Sequence, residues 1–155
     1  MRLEYFEMID RVDELDVENG RIRTTARVPE TSPVFEGHFP THPLLPGVML
    51  LETMNHASGY LLMAINRITR LPLFIGVKKG KFRKYVTPGM VLEVSAQVIH
   101  EGSGYGVTDA KVEVDGQRVA DAEITMSLIE FPTEELAAEV RRRAQDIGVT
   151  LQASI

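Results

Sequence analysis

With 155 residues, 44% of them apolar and 25% charged, the chain suits one domain with one sizeable core and has the make-up of an ordinary globular fold. A formal net charge of -5 argues against a global attraction to nucleic acid, and the absence of cysteine excludes a disulfide framework, a thiolate metal site and a cysteine nucleophile. Acidic residues break up the N-terminus, so it does not read as a signal peptide, and Glu52, Asn55, His56 and Ser58 interrupt the longest apolar run, which argues against a membrane span. A cytoplasmic protein is expected.

The first element is amphipathic: Tyr5, Phe6, Met8, Ile9 and Val12 alternate with charges, and a helical turn leading into a strand is expected. Asn19-Gly20 is a turn dipeptide, and residues 21–28 read as a strand. Residues 29–47 hold five of the eight prolines and read as a stiff loop, because each proline fixes its own φ and biases its predecessor away from helix. After Pro46 a helix is expected from Gly47 to about Ile65, apolar on nearly every face and therefore buried. Five strands should follow, at 73–77, 81–86, 91–101, 106–114 and 118–129, with Asp115-Gly116 as a two-residue hairpin turn. Strands in succession without helices between them imply an antiparallel sheet. Gly102-Ser103-Gly104 lacks the strand-to-helix setting of a dinucleotide loop and reads as a turn. Thr133, followed by Glu134 and Glu135, should cap a C-terminal helix that Gly148 ends; Arg141 to Arg143 fit its solvated face and its dipole. The expected fold is α+β, a curved antiparallel sheet wrapped around one buried helix, in a single domain 1–155 with its core at about 4–130 and a helical extension at about 132–155.

His38 in the proline-bounded loop and Glu52 in the apolar helix are the candidate acid–base pair, because an ionisable group in a greasy helix is expensive to bury without a partner or a task. His38 and His42 are four apart, but Pro40 and Pro43 prevent the regular helix that would aim both at one metal, so no metal site is expected.

Gly37-His38-Phe39-Pro40, then Pro43, Pro46-Gly47-Val48 and Glu52-Thr53-Met54, with the acid fourteen positions after the histidine, resemble the signature of the FabZ-type 3-hydroxyacyl-ACP dehydratases. The opening Glu4 to Val12, the stretch Gly76 to Lys84 and the turn Val86-Thr87-Pro88-Gly89 are similar to the same family, so the resemblance covers roughly residues 4–130. His56 stands where the family usually has Gln, and the tail after Pro132 is longer than the family core needs. The opening and the tail resemble the branch associated with very-long-chain, lipid A-type acyl synthesis.

The resemblance implies a hot-dog fold and dehydration of (3R)-3-hydroxyacyl-ACP to trans-2-enoyl-ACP in fatty acid biosynthesis, without a cofactor. His38 would be the base for the C2 proton, and Glu52 the acid for the departing hydroxyl. Burial in an apolar helix should raise the Glu52 pKa. Gly47 and Val48, at the helix start, would offer backbone N–H groups to the thioester oxygen. Phe39, His56 and Phe82 would line the substrate site. Lys78, Lys79, Lys81, Arg83 and Lys84 would dock the acidic acyl carrier protein with its acyl-phosphopantetheine. A homodimer is implied, each active site combining His38 of one subunit with Glu52 of the other, and a hexamer as a trimer of dimers is compatible with it. Two other readings are a hot-dog thioesterase, in which Glu52 would activate water, and a noncatalytic acyl-binding subunit.

Overall fold

The computed structural model describes residues 1–151, so the last four residues of the expected C-terminal extension lie outside the described residues. A 3-10 turn, Leu3–Tyr5, precedes strand β1, Arg11–Asp16, which pairs with β2, Arg21–Arg27, across the Asn19-Gly20 turn. Helix α1, Pro33–Gly37, and the long helix α2, Gly47–Ile65, follow. Strands β3, Leu71–Phe82, β4, Val91–Gly102, β5, Tyr105–Val114, and β6, Gln117–Ile129, complete one antiparallel sheet of order β1-β2-β4-β5-β6-β3. Helix α3 spans Glu134–Asp146.

The sheet curls around α2, which contacts every strand from β2 to β6. The strands alternate as a half-buried sheet must. Ile22, Thr24 and Ala26 of β2, Leu92, Val94 and Ala96 of β4, Thr108, Ala110 and Val112 of β5, and Ala120, Ala122, Ile124 and Met126 of β6 are buried. Leu61 and Leu62 of α2 are fully enclosed, each worth roughly 1.5–3 kcal/mol of burial. Helix and sheet approach so closely at Gly106 that a Cβ there would lie 2.6 Å from Leu62 Cδ2, which explains a glycine inside a strand. Ser58 and Thr108 answer each other across this contact, hydroxyl to hydroxyl at 2.7 Å.

The hot-dog architecture, the bounds of α2, the Asp115-Gly116 hairpin turn and the Thr133 cap agree with expectation; Thr133 Oγ1 accepts from the Leu136 N–H at 3.1 Å. Two expectations are corrected. The two strands expected at 73–77 and 81–86 are one strand, Leu71–Phe82, and Arg83 to Val86 lie outside it. The strand runs on because register shifts against β6 absorb Ile75 and the Lys79-Gly80 pair, with Lys79 at φ 54°. The stiff loop at 29–47 contains a helical turn. Ser32 caps it by accepting from the Val34 N–H at 3.2 Å, and Pro33 stands at its start, where a missing N–H costs nothing.

Candidate active site

His38 ends the α1 turn, and its setting is made almost wholly of backbone. Its N–H donates to the Val34 carbonyl at 3.1 Å, and its own carbonyl accepts from the Leu44 N–H at 3.0 Å. Phe39 and His42 exchange backbone hydrogen bonds in both directions. The imidazole Nδ1 lies 2.9 Å from the Leu44 carbonyl oxygen. A carbonyl can only accept, so Nδ1 carries the proton in the neutral ring and Nε2 is left as the base. The Phe39 ring stacks on the imidazole, centroids 4.1 Å apart.

Helix α2 starts at Gly47, with Pro46 as a cap that offers no side-chain acceptor. The Met49 and Leu50 N–H groups return to the Pro46 carbonyl, whereas those of Gly47 and Val48 have no carbonyl within the helix to bond. Phe82, at the end of β3, sits over this start: a Cβ on Gly47 would lie 3.6 Å from the ring. The structure thus brings Gly47 and Phe82 together. Val48 is 74% exposed beside them.

Glu52 lies just over one turn further along α2, and its partners are on its own helix. His56 Nε2–H donates to Glu52 Oε1 at 2.7 Å, and Asn55 Nδ2 donates to the same oxygen at 3.3 Å. Among the described residues neither contact falls on Oε2. The expectation that burial raises the Glu52 pKa is overturned: the hydrogen bond from His56 lowers it, outweighing the upward push of desolvation. Asn55 is a residue the sequence reading missed as a partner of Glu52, although its i,i+3 spacing was the available signal. Its Oδ1 is buried with no partner among the described residues.

Glu52, Asn55 and His56 open onto a cavity of about 320 Å³ lined further by Gly59, Tyr60 and Met63 of α2, by the start of β3, by Met126 and by Val140 and Arg143 of α3. His38 is not part of its lining. A larger depression, about 630 Å³, lies on the opposite face of the sheet and is lined by residues such as Arg21, Arg23, Lys111, Asp121 and Glu123. Lys111 pairs with Glu113, and Arg83 closes on Asp121 at 2.7 Å, so that face reads as a solvated charged surface. Of the basic stretch, Lys84 bonds Gln117, Lys78 stands opposite Glu123, and Lys81 opposite Asp121.

The FabA-like domain family matches residues 2–123. The chain is 37% identical over 128 residues to the 3-hydroxyacyl-(acyl-carrier-protein) dehydratase FabZ of Chlamydia pneumoniae, covering 81% of this chain and 84% of that protein. The FabZ of Sorangium cellulosum is 36% identical over 126 residues, 79% and 81% of the two chains. The chain belongs to the FabA-like family, FabZ type. Solved structures extend the likeness in fold alone. A hypothetical thioesterase of Streptococcus pneumoniae, crystallised with coenzyme A, superposes with a TM-score of 0.61 at 17% identity over 79% of this chain and 88% of that one. A hypothetical protein of Staphylococcus aureus gives 0.64 at 20% identity over 83% and 98%. Helix α3 lies beyond the residues matched to the FabA-like domain. Among the described residues no helix is long and apolar enough to cross a membrane.

Proposed function

We propose that the chain is a hydro-lyase that dehydrates (3R)-3-hydroxyacyl-ACP to trans-2-enoyl-ACP, with His38 and Glu52 as its catalytic pair. What carries the reading is His38, whose occupied Nδ1 leaves Nε2 as the only basic nitrogen, in a chain whose relatives are dehydratases by name. Nε2 removes the C2 proton, and the electron pair of that bond becomes the new C2–C3 π bond. Charge that builds on the thioester oxygen is met by the Gly47 and Val48 N–H groups and the positive end of α2. The C3–O bond breaks, and a proton from Glu52 turns the leaving hydroxyl into water.

Substrate and a second subunit covering the site strip water from Glu52, which penalises its ionised form and favours the protonated carboxyl group that delivers the proton. Both held contacts fall on Oε1, so Oε2 is the oxygen available to the substrate hydroxyl.

His38 is not in the lining of the cavity onto which Glu52 opens, which supports active sites assembled across a dimer. The edge strand β3 is the surface that fits: Leu73, Phe74, Ile75 and Val77 are exposed along it, an apolar edge that calls for a partner. Lys78, Lys79, Lys81, Arg83 and Lys84 follow on the same strand and the turn after it, and in a net acidic protein they are the local surface for an acidic carrier protein and its phosphopantetheine. The protein would work in the cytoplasm as a dimer or a trimer of dimers, one hot-dog unit per chain.

Incubation with 3-hydroxyacyl-ACP and enoyl-ACP tests the assignment. Interconversion of the two, followed by enoyl absorbance, is expected without release of free thiol. Thiol release would make the protein a thioesterase, and binding without either would make it an acyl-carrying subunit.

A further inference from the structure

We propose that helix α3 forms the end wall of the acyl cavity, and that Val140, backed by Arg143, sets the longest acyl chain the site accepts. The inference rests on reading the cavity beside Glu52 as the acyl site. Glu52, His56 and Tyr60 recur every four residues on one face of α2, so from the carboxyl group to the phenol the helix advances about 12 Å. The stretch between them is apolar, with Gly59 leaving bare backbone, Met126 facing it, and Leu71, Leu73 and Phe74 of β3 on the flank. Past Tyr60 the lining takes in the charged Arg143, and Val140 stands on the same face of α3 one turn earlier. A hydrocarbon tail that passed Val140 would have to desolvate the guanidinium, so the apolar path stops there.

The wall is pinned. Arg141 donates to the Ile68 carbonyl at 3.5 Å, just past the end of α2. Arg143 donates to the Ile9 carbonyl at 3.2 Å and lies 3.9 Å from Glu7. Ala137 and Ala144 are fully enclosed on the inner face of α3. Helix α3 lies beyond the residues matched to the FabA-like domain.

The test is a calorimetric titration of S-acyl-pantetheines of rising chain length into the wild type, Val140→Phe and Val140→Ala. While each added methylene is being buried, affinity should tighten roughly fourfold per carbon, then level off at the wall. In Val140→Phe the plateau should arrive at a shorter chain. At the wild-type plateau length the variant should bind roughly tenfold or more weakly, relative to the shortest ligand, as when about two methylenes stay in water. In Val140→Ala the plateau should arrive later. A plateau at one length in all three proteins, or uniform weakening at every length, would overturn the proposal. If Val140→Phe does not melt cooperatively, Val140→Met carries the same comparison. Dehydration of a short 3-hydroxyacyl-ACP by the wild type, measured alongside, judges the catalytic reading separately, since the binding plateau decides the wall whether or not turnover occurs.

Discussion

The loop that carries His38 and the helix that carries Glu52 meet the same requirement, one fixed titratable side chain, with different materials. Backbone holds His38: the Leu44 carbonyl takes its Nδ1 proton, and Val34 and Leu44 fix its own peptide groups. Side chains hold Glu52: His56 and Asn55 both reach Oε1 from the next turn of α2. A backbone-held group keeps its tautomer and position whatever its neighbours become. A group held by side chains takes its proton affinity from residues that substitution can change. With the roles proposed for His38 and Glu52, the base is built to be constant and the acid to be adjustable.

The largest effect should come from removing either group. His38→Ala should lower kcat about 10³-fold, within the 10²–10⁴ range that a positioned acid or base contributes, with a much smaller change in KM. Glu52→Gln keeps the shape and the Asn55 neighbour but has no proton to give, and a loss of about 10²-fold is expected. Steady-state rates on one 3-hydroxyacyl-ACP check both. Loss in KM alone would mean that the group binds substrate without taking part in proton transfer.

Mixing these two inactive variants asks whether loop and helix serve the same subunit. If each site joins His38 of one subunit to Glu52 of its partner, a mixed dimer has one intact site and one doubly altered site. After unfolding and refolding together, equal amounts should then recover about a quarter of wild-type activity, since half of randomly formed two-fold dimers are mixed. No recovery, with mixed dimers demonstrated by differential tagging, would put each pair within one subunit. Ile75→Lys sharpens the same point: a charge on the exposed β3 edge should give monomers by sedimentation and take the activity of shared sites with it.

Much of this arrangement is legible along the chain, for local reasons. Pro46-Gly47 followed by a run that is apolar on nearly every face specifies a buried helix, and Asp115-Gly116 specifies a hairpin whose two turn residues both take positive φ, 50° and 76°. The errors have physical causes too. Pro33 reads as part of a stiff loop, yet after a capping Ser32 it is a helix starter. The expected break between 77 and 81 does not occur, because β6 pairs on both sides of it and β3 bulges and continues. The greasiness of α2 predicts a raised Glu52 pKa, whereas the hydrogen bond from His56 at 2.7 Å lowers it. Val140 and Arg143 as cavity lining had no local signal, because their nearness to Glu52 is created by the fold and not by spacing.

The smallest and most informative effect should come from His56→Gln, which restores the residue usual in the family and leaves an amide able to donate to Oε1. His56 lowers the Glu52 pKa, through its hydrogen bond first and through its charge as well. Glutamine keeps a hydrogen bond and removes the charge, so the Glu52 pKa should rise. An acid catalyst is active below its own pKa, so the limb of the kcat–pH profile that falls towards high pH should move to higher pH. The other titratable or charged groups lining the cavity are Tyr60 and Arg143, and neither is altered by the change. His56 does not touch the Leu44 carbonyl that holds His38, so the limb that falls towards low pH should stay where it is. At the wild-type optimum kcat should change less than about tenfold, well below the loss from removing a proton-transfer group. Movement of both limbs together would mean that His56 acts on the whole site. Movement of neither would mean that His56 does not set the acidity of Glu52, and the contrast between a constant base and an adjustable acid would be lost.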